Sequence, residues 1–149
     1  MIEGVGVKKL NPVRDDRGWV TEILRADDEL FERFGQVYLT VAYSGVVKAW
    51  HMHKKQTDYF ALMSGKALIA LYDGRDGSST RGELMDYVVD EKAPILIKIP
   101  PGVYHGYKAL GDNPAYIINT PTRTYNREEP DEHRLPHDSE IIGYDWSRR

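Results

Sequence analysis

The stretch from Gln36 to Pro121 most constrains the fold, because it is a succession of short apolar runs separated by turn residues. Each run is seven to nine residues long and rich in β-branched and aromatic side chains, which is typical of strands. The seven runs are QVYLTVAY, GVVKAWHMH, DYFALMS, KALIALYD, ELMDYVVD, PILIKIP and AYIINTP. Seven short strands are enough to build a double-sheet jelly roll, so we predict an all-β fold of that architecture.

One short helix is expected before the first of these runs. Asp27 can cap it, because a carboxylate at this position accepts a hydrogen bond from the first turn. Leu30, Phe31 and Phe34 then recur at helical spacing, and Gly35 ends the pattern. We therefore predict an α-helix that begins after Asp27 and ends at Gly35.

Length and composition indicate a single ordinary domain. At 149 residues the chain is expected to fold as one domain, 1–149, on which the charged residues 122–149 pack as a C-terminal arm. A net charge of −3, from 20 basic and 23 acidic residues, argues against a nucleic-acid partner. The absence of cysteine fits a reducing compartment, and no apolar stretch is long enough to span a bilayer. We predict a cytoplasmic protein without a membrane partner.

Histidines dominate the candidate functional residues. In the segment GVVKAWHMHKKQTDYFALMSG, His51 and His53 are two residues apart, so both side chains point to the same face if the segment is a strand. Asp58 follows within the segment, and His105 comes after a proline-glycine turn in the block PPGVYH. Imidazoles that share a cavity can transfer protons near neutral pH, or they can bind a divalent cation together with a carboxylate.

These two blocks resemble the signature motifs of the cupin superfamily, with Asp58 where the pattern usually carries glutamate. Within that superfamily, the segments DDRGWVTE, QVYLTVAYSGVVKAWHMH, IPPGVYHGYKALGD and IGYDW are similar to the dTDP-4-dehydrorhamnose 3,5-epimerase family. The resemblance covers most of the chain and implies a cupin-type double-stranded β-helix. It also implies an isomerase that acts on a nucleotide-diphosphate 4-keto-6-deoxy-sugar by removing a proton next to the ketone.

The resemblance implies roles for individual residues. His51 matches the catalytic base of the epimerases, and His105 matches a second histidine of their pattern. The related sugar-nucleotide 3,4-ketoisomerases carry a histidine pair similar to His51 and His53, and a tyrosine near their active site where this chain has Tyr38. We therefore predict four catalytic residues, His51, His53, His105 and Tyr38. The residues predicted to bind substrate are Arg17, Glu22, Gln36, Lys48 and Asn119.

The chain departs from the epimerase pattern at two of its chemical positions. Asp58 stands where the family has a lysine that stabilises the enolate, and Asn119 stands where it has the tyrosine that acts as general acid. An anion beside a developing enolate raises the barrier by about 4 kcal/mol at close range with partial screening. The chain also ends soon after Trp146, before the segment in which relatives carry the aspartate that orients the base.

Three functional hypotheses follow. The first is a sugar-nucleotide isomerase, 3,5-epimerase-like or a 3,4-ketoisomerase, that takes a nucleotide-sugar as its small-molecule partner and needs no cofactor. The second is a metal-dependent cupin enzyme in which His51, His53, Asp58 and His105 hold a divalent transition metal. The third is a non-catalytic relative that only binds sugar nucleotides. The resemblance further implies a homodimer in which Arg17 serves the neighbouring subunit's site.

Overall fold

The computed structural model describes residues 1–148, and nearly all of its regular structure is β. Ten strands form two five-stranded antiparallel sheets, and two short strands form a separate hairpin. In spatial order the first sheet contains β1 (Gly6–Lys9), β9 (Ile95–Ile99), β6 (Asp58–Ser64), β11 (Ala115–Asn119) and β4 (Tyr38–Ala42). The second sheet contains β12 (His133–Arg134), β5 (Val47–Met52), β10 (Val103–Ala109), β7 (Lys66–Asp73) and β8 (Leu84–Asp90). The hairpin consists of β2 (Val13–Asp15) and β3 (Gly18–Val20).

This architecture confirms the predicted all-β jelly roll, and each of the seven apolar runs contains one strand. The run pattern missed β10, although this strand lies in the middle of the second sheet. Its sequence, VYHGYKA, interrupts the apolar alternation with a glycine, a histidine and a lysine. Gly106 is required there, because a Cβ at this position would lie only 2.3 Å from that of Ala49 in β5.

Both sheets are covered on both faces, which explains why their central strands read as continuous apolar runs. Phe60, Leu71 and Ile117 belong to the main core cluster, to which strands of both sheets contribute. On the other side of the second sheet, Trp50 packs against Trp146 from the C-terminal arm. Full burial of each large apolar side chain stabilises the fold by roughly 1.5–3 kcal/mol.

The predicted α-helix between Asp27 and Gly35 is wrong. Residues 26–30 form turns, and within residues 1–148 the only helical element is the 3₁₀ helix Trp146–Arg148. None of the described segments is a helix long and apolar enough to cross a membrane.

Tertiary contacts prevent this helix from forming. The Tyr59 hydroxyl donates to the Leu30 carbonyl at 2.8 Å and accepts from the Glu32 amide at 3.1 Å. These backbone groups therefore bond to a side chain of the first sheet rather than to each other. The Leu30 side chain lies directly on Gly6, where a Cβ would be 2.6 Å from Leu30 Cδ2. The apolar residues at helical spacing thus cover the first sheet in an irregular conformation, since packing outweighs intrinsic helix propensity.

The C-terminal arm extends one edge of the second sheet. Trp50 and Leu135 exchange backbone hydrogen bonds of 2.9 and 3.1 Å, and Arg134 lies opposite His51 in the β12–β5 pair. The arm ends with Trp146 buried against Trp50. As a result, the residues just before β12 lie beside His51 in β5 and His53 just after it.

Candidate active site

The predicted histidines line one cavity of about 290 Å³. His51 and His53 both face it, as their spacing predicts. The first sheet contributes Tyr38, Thr40 and Phe60. The second sheet contributes Lys48 and His51 from β5, His53 just after β5, and His105, Gly106 and Tyr107 from β10. The C-terminal arm contributes Glu132 and Arg134. The cavity is therefore walled by both sheets and by the arm.

His51 has the geometry of a general base. Its Nδ1 lies 3.1 Å from Glu132 Oε1, and because the carboxylate accepts, Nδ1 carries the hydrogen and Nε2 is left with a lone pair. Burial lowers the pKa of His51 below its usual value, although the charge of Glu132 raises it. A neutral ring with a free Nε2 can take a proton from a substrate carbon.

Glu132 lines the cavity beside His51, a position that the sequence did not reveal. It accepts two hydrogen bonds of 3.0 Å from Arg134 Nη2, one on each oxygen. Burial acts to raise the pKa of Glu132, but Arg134 and His51 hold it below its usual value. Glu132 and Arg134, on either side of His133, both face the cavity. Because β12 has only two residues, its alternation is too short to be recognised in the sequence.

Tyr38 has the geometry of a general acid, and Asn119 positions it. The Asn119 Oδ1 accepts from the Tyr59 amide at 3.0 Å, and its Nδ2 donates to Tyr38 Oη and to Asp58 Oδ1, both at 2.8 Å. Since the Tyr38 oxygen accepts, its own hydrogen is free to point elsewhere. Burial, with the charge of Asp58, raises the pKa of Tyr38 to about 12, so the phenol holds its proton at neutral pH.

His53 and His105 converge on Asp58. Their Nε2 atoms lie 3.3 and 3.5 Å from Asp58 Oδ2, and the Asp58 side chain is almost fully buried. Burial lowers the pKa of His105 to about 4, against the charge of Asp58. The three ligand atoms lie within 4.8 Å of one another, and His51 is not part of this group. The four-residue metal set predicted from sequence therefore contracts to three residues, with His51 paired to Glu132 instead.

Two of the predicted substrate-binding residues lie at the cavity or directly behind it. Lys48 lines it, and its ammonium donates to Thr40 Oγ1 at 2.8 Å and to the Val41 carbonyl at 3.3 Å. Asn119 is fully buried, and it contacts Tyr38 in the cavity wall and Asp58 behind the histidines. In this structure Asn119 therefore contacts a predicted catalytic residue rather than the cavity itself.

Three other predicted residues lie outside this cavity within the single chain. Arg17 pairs with Asp15 in the β2–β3 hairpin, and its side chain is 85% exposed. Glu22 pairs with Arg25, and the Gln36 side chain accepts from the Tyr125 amide at 2.9 Å. Only a second chain or a large movement would bring Arg17 to a cavity of this kind.

Known proteins resemble this chain along its whole length. The sequence profile described as dTDP-4-dehydrorhamnose 3,5-epimerase matches residues 1–149. The spore coat polysaccharide biosynthesis protein SpsL of Bacillus subtilis is 47% identical over 147 residues, which cover 99% of this chain and 97% of that protein. The probable low-salt glycan biosynthesis epimerase Agl13 of Haloferax volcanii is 40% identical over 148 residues, 98% of this chain and 95% of that protein.

A solved structure shares the whole fold. The crystal structure of a dTDP sugar isomerase from Desulfovibrio desulfuricans G20 superposes with a TM-score of 0.93 at 32% identity, covering 99% of this chain and 94% of that one. Epimerases of this type act without a metal cofactor, which agrees with the expectation that none is needed. The whole-chain profile match, the two relatives above 30% identity and the common fold show that this chain belongs to the dTDP-4-dehydrorhamnose 3,5-epimerase family.

Proposed function

We propose that the protein is an epimerase that acts on a nucleotide-diphosphate 4-keto-6-deoxy-sugar. One observation carries this proposal: the base and the acid come from different sheets and line the same cavity. His51 lies on β5 of the second sheet and Tyr38 on β4 of the first. A sugar held between them loses a proton to one side and gains one from the other, which inverts the carbon.

The proposed reaction has two proton transfers. His51 Nε2 takes the proton from the carbon next to the ketone, and the electrons of the broken C–H bond move to the ketone oxygen to give an enolate. The Lys48 ammonium in the cavity wall offsets the new negative charge. Tyr38 then donates its proton to the opposite face of the carbon. Proton exchange with water returns the base and the phenol to their starting states.

The same contacts favour epimerisation over ketone migration. A 3,4-ketoisomerase needs proton shuttling on one face of the sugar, for which His53 would have to be free. Its Nδ1 is bonded to the Asp131 carbonyl, and its Nε2 faces Asp58 at 3.3 Å. The pairing of His51 with Glu132 also supports an active enzyme over a relative that only binds sugar nucleotides.

Proton NMR of dTDP-4-keto-6-deoxyglucose in deuterated water tests the proposal. We expect deuterium to enter at C3, C5 or both, with inversion at the exchanged carbon. A product with its ketone at C3 would show a ketoisomerase instead. An unchanged spectrum at high enzyme concentration would contradict any isomerase function for this substrate class.

We infer further that the active form is a homodimer in which Arg17 enters the neighbouring site. The β2–β3 hairpin pairs with no other strand within residues 1–148, and it exposes Trp19 and Val20 to 64% and 69%. β4 is an edge strand whose Leu39 is 55% exposed. A second copy would cover these apolar side chains and the free strand edge.

Mixed dimers test this arrangement. An Arg17→Ala chain and a His51→Asn chain should each be inactive as homodimers, because each lacks one part of every site. Mixing them should restore activity, since half of the sites in a mixed dimer then contain both residues. A mixture that stays inactive while light scattering shows dimers would exclude an exchanged arginine.

We also infer a cytoplasmic location. The chain contains no cysteine, which agrees with a reducing compartment. Fractionation of the native host cells, with detection by antibody, would check this inference.

A further inference from the structure

Arg134 lies at the mouth of the cavity that contains His51. Its side chain lines this cavity and is 68% exposed to solvent. The floor of the cavity is formed instead by Phe60, His105 and Tyr107, each of which is at most 6% exposed. Arg134 is therefore placed where a molecule bound in the cavity extends into solvent.

The fold holds the guanidinium of Arg134 by one of its nitrogens. The residue lies opposite His51 in the β12–β5 pair, so its backbone is fixed to the second sheet. Its Nη2 donates to both carboxylate oxygens of Glu132 at 3.0 Å. Within residues 1–148, Arg134 Nη1 and Nε donate to no protein acceptor. Because a guanidinium is planar and rigid, the bonds of Nη2 also orient these remaining N–H groups.

The size of the cavity separates the two ends of a nucleotide-sugar. Its volume of about 290 Å³ lies at the lower end of the range for small-molecule pockets, about 300–1,000 Å³. It can hold a sugar ring, but the attached nucleoside diphosphate must lie outside. In a 4-keto-sugar the diphosphate is bonded to C1, across the ring from the ketone. When the carbon next to the ketone lies between His51 and Tyr38, the diphosphate extends towards the mouth.

We propose that Arg134 binds the diphosphate of the substrate, an inference that rests on the proposed function. In the described part of the chain, Lys48 and Arg134 are the two lysine or arginine side chains that line the cavity. The Lys48 ammonium already donates to Thr40 and to the Val41 carbonyl, and it is assigned to the enolate charge. A guanidinium forms strong, charge-assisted hydrogen bonds with phosphate oxygens. Arg134 can do so through Nη1 while its Nη2 stays on Glu132.

The charges around the mouth also require a cation at this place. The protein has a net charge of −3, and the cavity wall itself contains the Glu132 carboxylate. A diphosphate beside this carboxylate is repelled unless a cation lies between them. Arg134 is bonded to Glu132 on one side and open to solvent on the other. It thereby links the binding of the diphosphate with the carboxylate that orients His51.

Titration with dTDP tests this role without any turnover. Arg134→Gln removes the positive charge and should weaken dTDP binding by about 10- to 100-fold, the range for a hydrogen bond to a charged group. Thymidine lacks the diphosphate, so its affinity, measured by NMR titration, should be the same in variant and wild type. Arg134→Lys keeps the charge and should recover part of the dTDP affinity. Wild-type dTDP affinity in Arg134→Gln, or an equal loss of thymidine affinity, would overturn the inference.

Substitution of Glu132 separates direct contact from an indirect effect. In Arg134→Gln the Glu132 carboxylate has lost its cation and can itself repel the diphosphate. Glu132→Gln should bind dTDP at least as tightly as wild type, because an anion is removed and Arg134 remains. The double variant Glu132→Gln/Arg134→Gln should lose dTDP affinity as Arg134→Gln does. A double variant that binds dTDP as Glu132→Gln does would show that Arg134 makes no contact with the diphosphate.

Arg127→Gln is the matched control, since Arg127 is exposed in the same arm and does not line the cavity. It should bind dTDP as wild type does. In turnover, Arg134→Gln should raise KM for the keto-sugar by the factor lost in dTDP affinity, while kcat falls no further than in Glu132→Gln. Binding of dTDP that depends on Arg134 without turnover of the keto-sugar would overturn only the proposed function. Turnover by Arg134→Gln with the KM and dTDP affinity of wild type would overturn only the role of Arg134.

Discussion

Asp58 and Asp73 are both buried carboxylates, and their surroundings differ in a way that separates function from scaffold. Asp73 is 0% exposed and receives hydrogen bonds from Arg75, Ser78 and Thr80. Arg75 and these hydroxyls hold the pKa of Asp73 well below its usual value, despite burial. Asp58 is 1% exposed, but one of its oxygens faces two imidazole nitrogens in a cavity wall.

The contrast shows how to distinguish two kinds of buried charge. The Asp73 charge is neutralised by an arginine and saturated by donors, so it closes the loop after β7 and has no capacity left for a ligand. Asp58 accepts hydrogen bonds from two amide groups. Within residues 1–148 no lysine or arginine forms an ion pair with it, in contrast to Asp73. A buried carboxylate in this state is costly for folding, and such groups are typical of functional sites.

The largest expected effect is on turnover, and it comes from a substitution in the cavity beside Asp58. His51→Asn removes the proposed base and should lower kcat by about a thousandfold or more. The fold should survive, because His51 is partly exposed and is not part of the core. Turnover and circular dichroism of the same sample check both statements. Near-normal turnover by a folded variant would exclude His51 as the base.

The next largest effect is on folding stability, and it comes from a substitution at Asp73. Asp73→Asn leaves Arg75 without its charge partner and should destabilise the fold by about 3 kcal/mol. Because folding depresses the pKa of Asp73, its stabilising contribution is present above about pH 4 and is lost as the pH falls further. Urea unfolding at neutral and acid pH should therefore show a gap between wild type and variant that narrows in acid.

This variant also tests the separation of the two regions. Turnover per folded Asp73→Asn molecule should equal that of wild type, since Asp73 lies outside the cavity. A loss of turnover in fully folded protein would mean that the loop after β7 also supports catalysis.

Tyr38→Phe should have a smaller effect than loss of the base, about a hundredfold in kcat. It removes the proton that returns to the opposite face and leaves His51 in place. In deuterated water the variant should still exchange the substrate hydrogen while inversion becomes slow. Proton NMR separates these two events. Equal losses of exchange and inversion would assign Tyr38 to binding or folding instead.

Glu132→Gln should have the smallest effect, about tenfold in kcat, because the amide can still orient His51 without its charge. The negative charge of Glu132 raises the pKa of His51, so its removal should move the acid limb of the kcat/KM profile to lower pH. Glu128→Gln, an exposed position in the same arm, serves as the control. An acid limb that stays in place would show that Glu132 does not act through His51.

Local sequence patterns were enough to predict seven of the twelve strands within residues 1–148 and the common face of His51 and His53. Both follow from an alternation that is complete within a few neighbouring residues, so no distant contact is needed to recognise it. The same local reasoning failed for residues 27–35, where Tyr59 and Gly6 redirect a segment with helical spacing. It also missed β10, because its apolar alternation is broken by polar residues and by Gly106. The glycine is required by the close approach of Ala49 in β5, which no local pattern shows.

Tertiary structure decided how the candidate site is assembled. Glu132 is 81 residues from His51, and Asn119 is 81 residues from Tyr38. No local pattern predicts such pairs, because they depend on which strands and arm the fold places together. The same holds for Asp58, which the sequence marked as a departure from a family pattern and as a candidate metal ligand. Its partners, and hence its chemistry, were set by the register of β5, β6 and β10 in the two sheets.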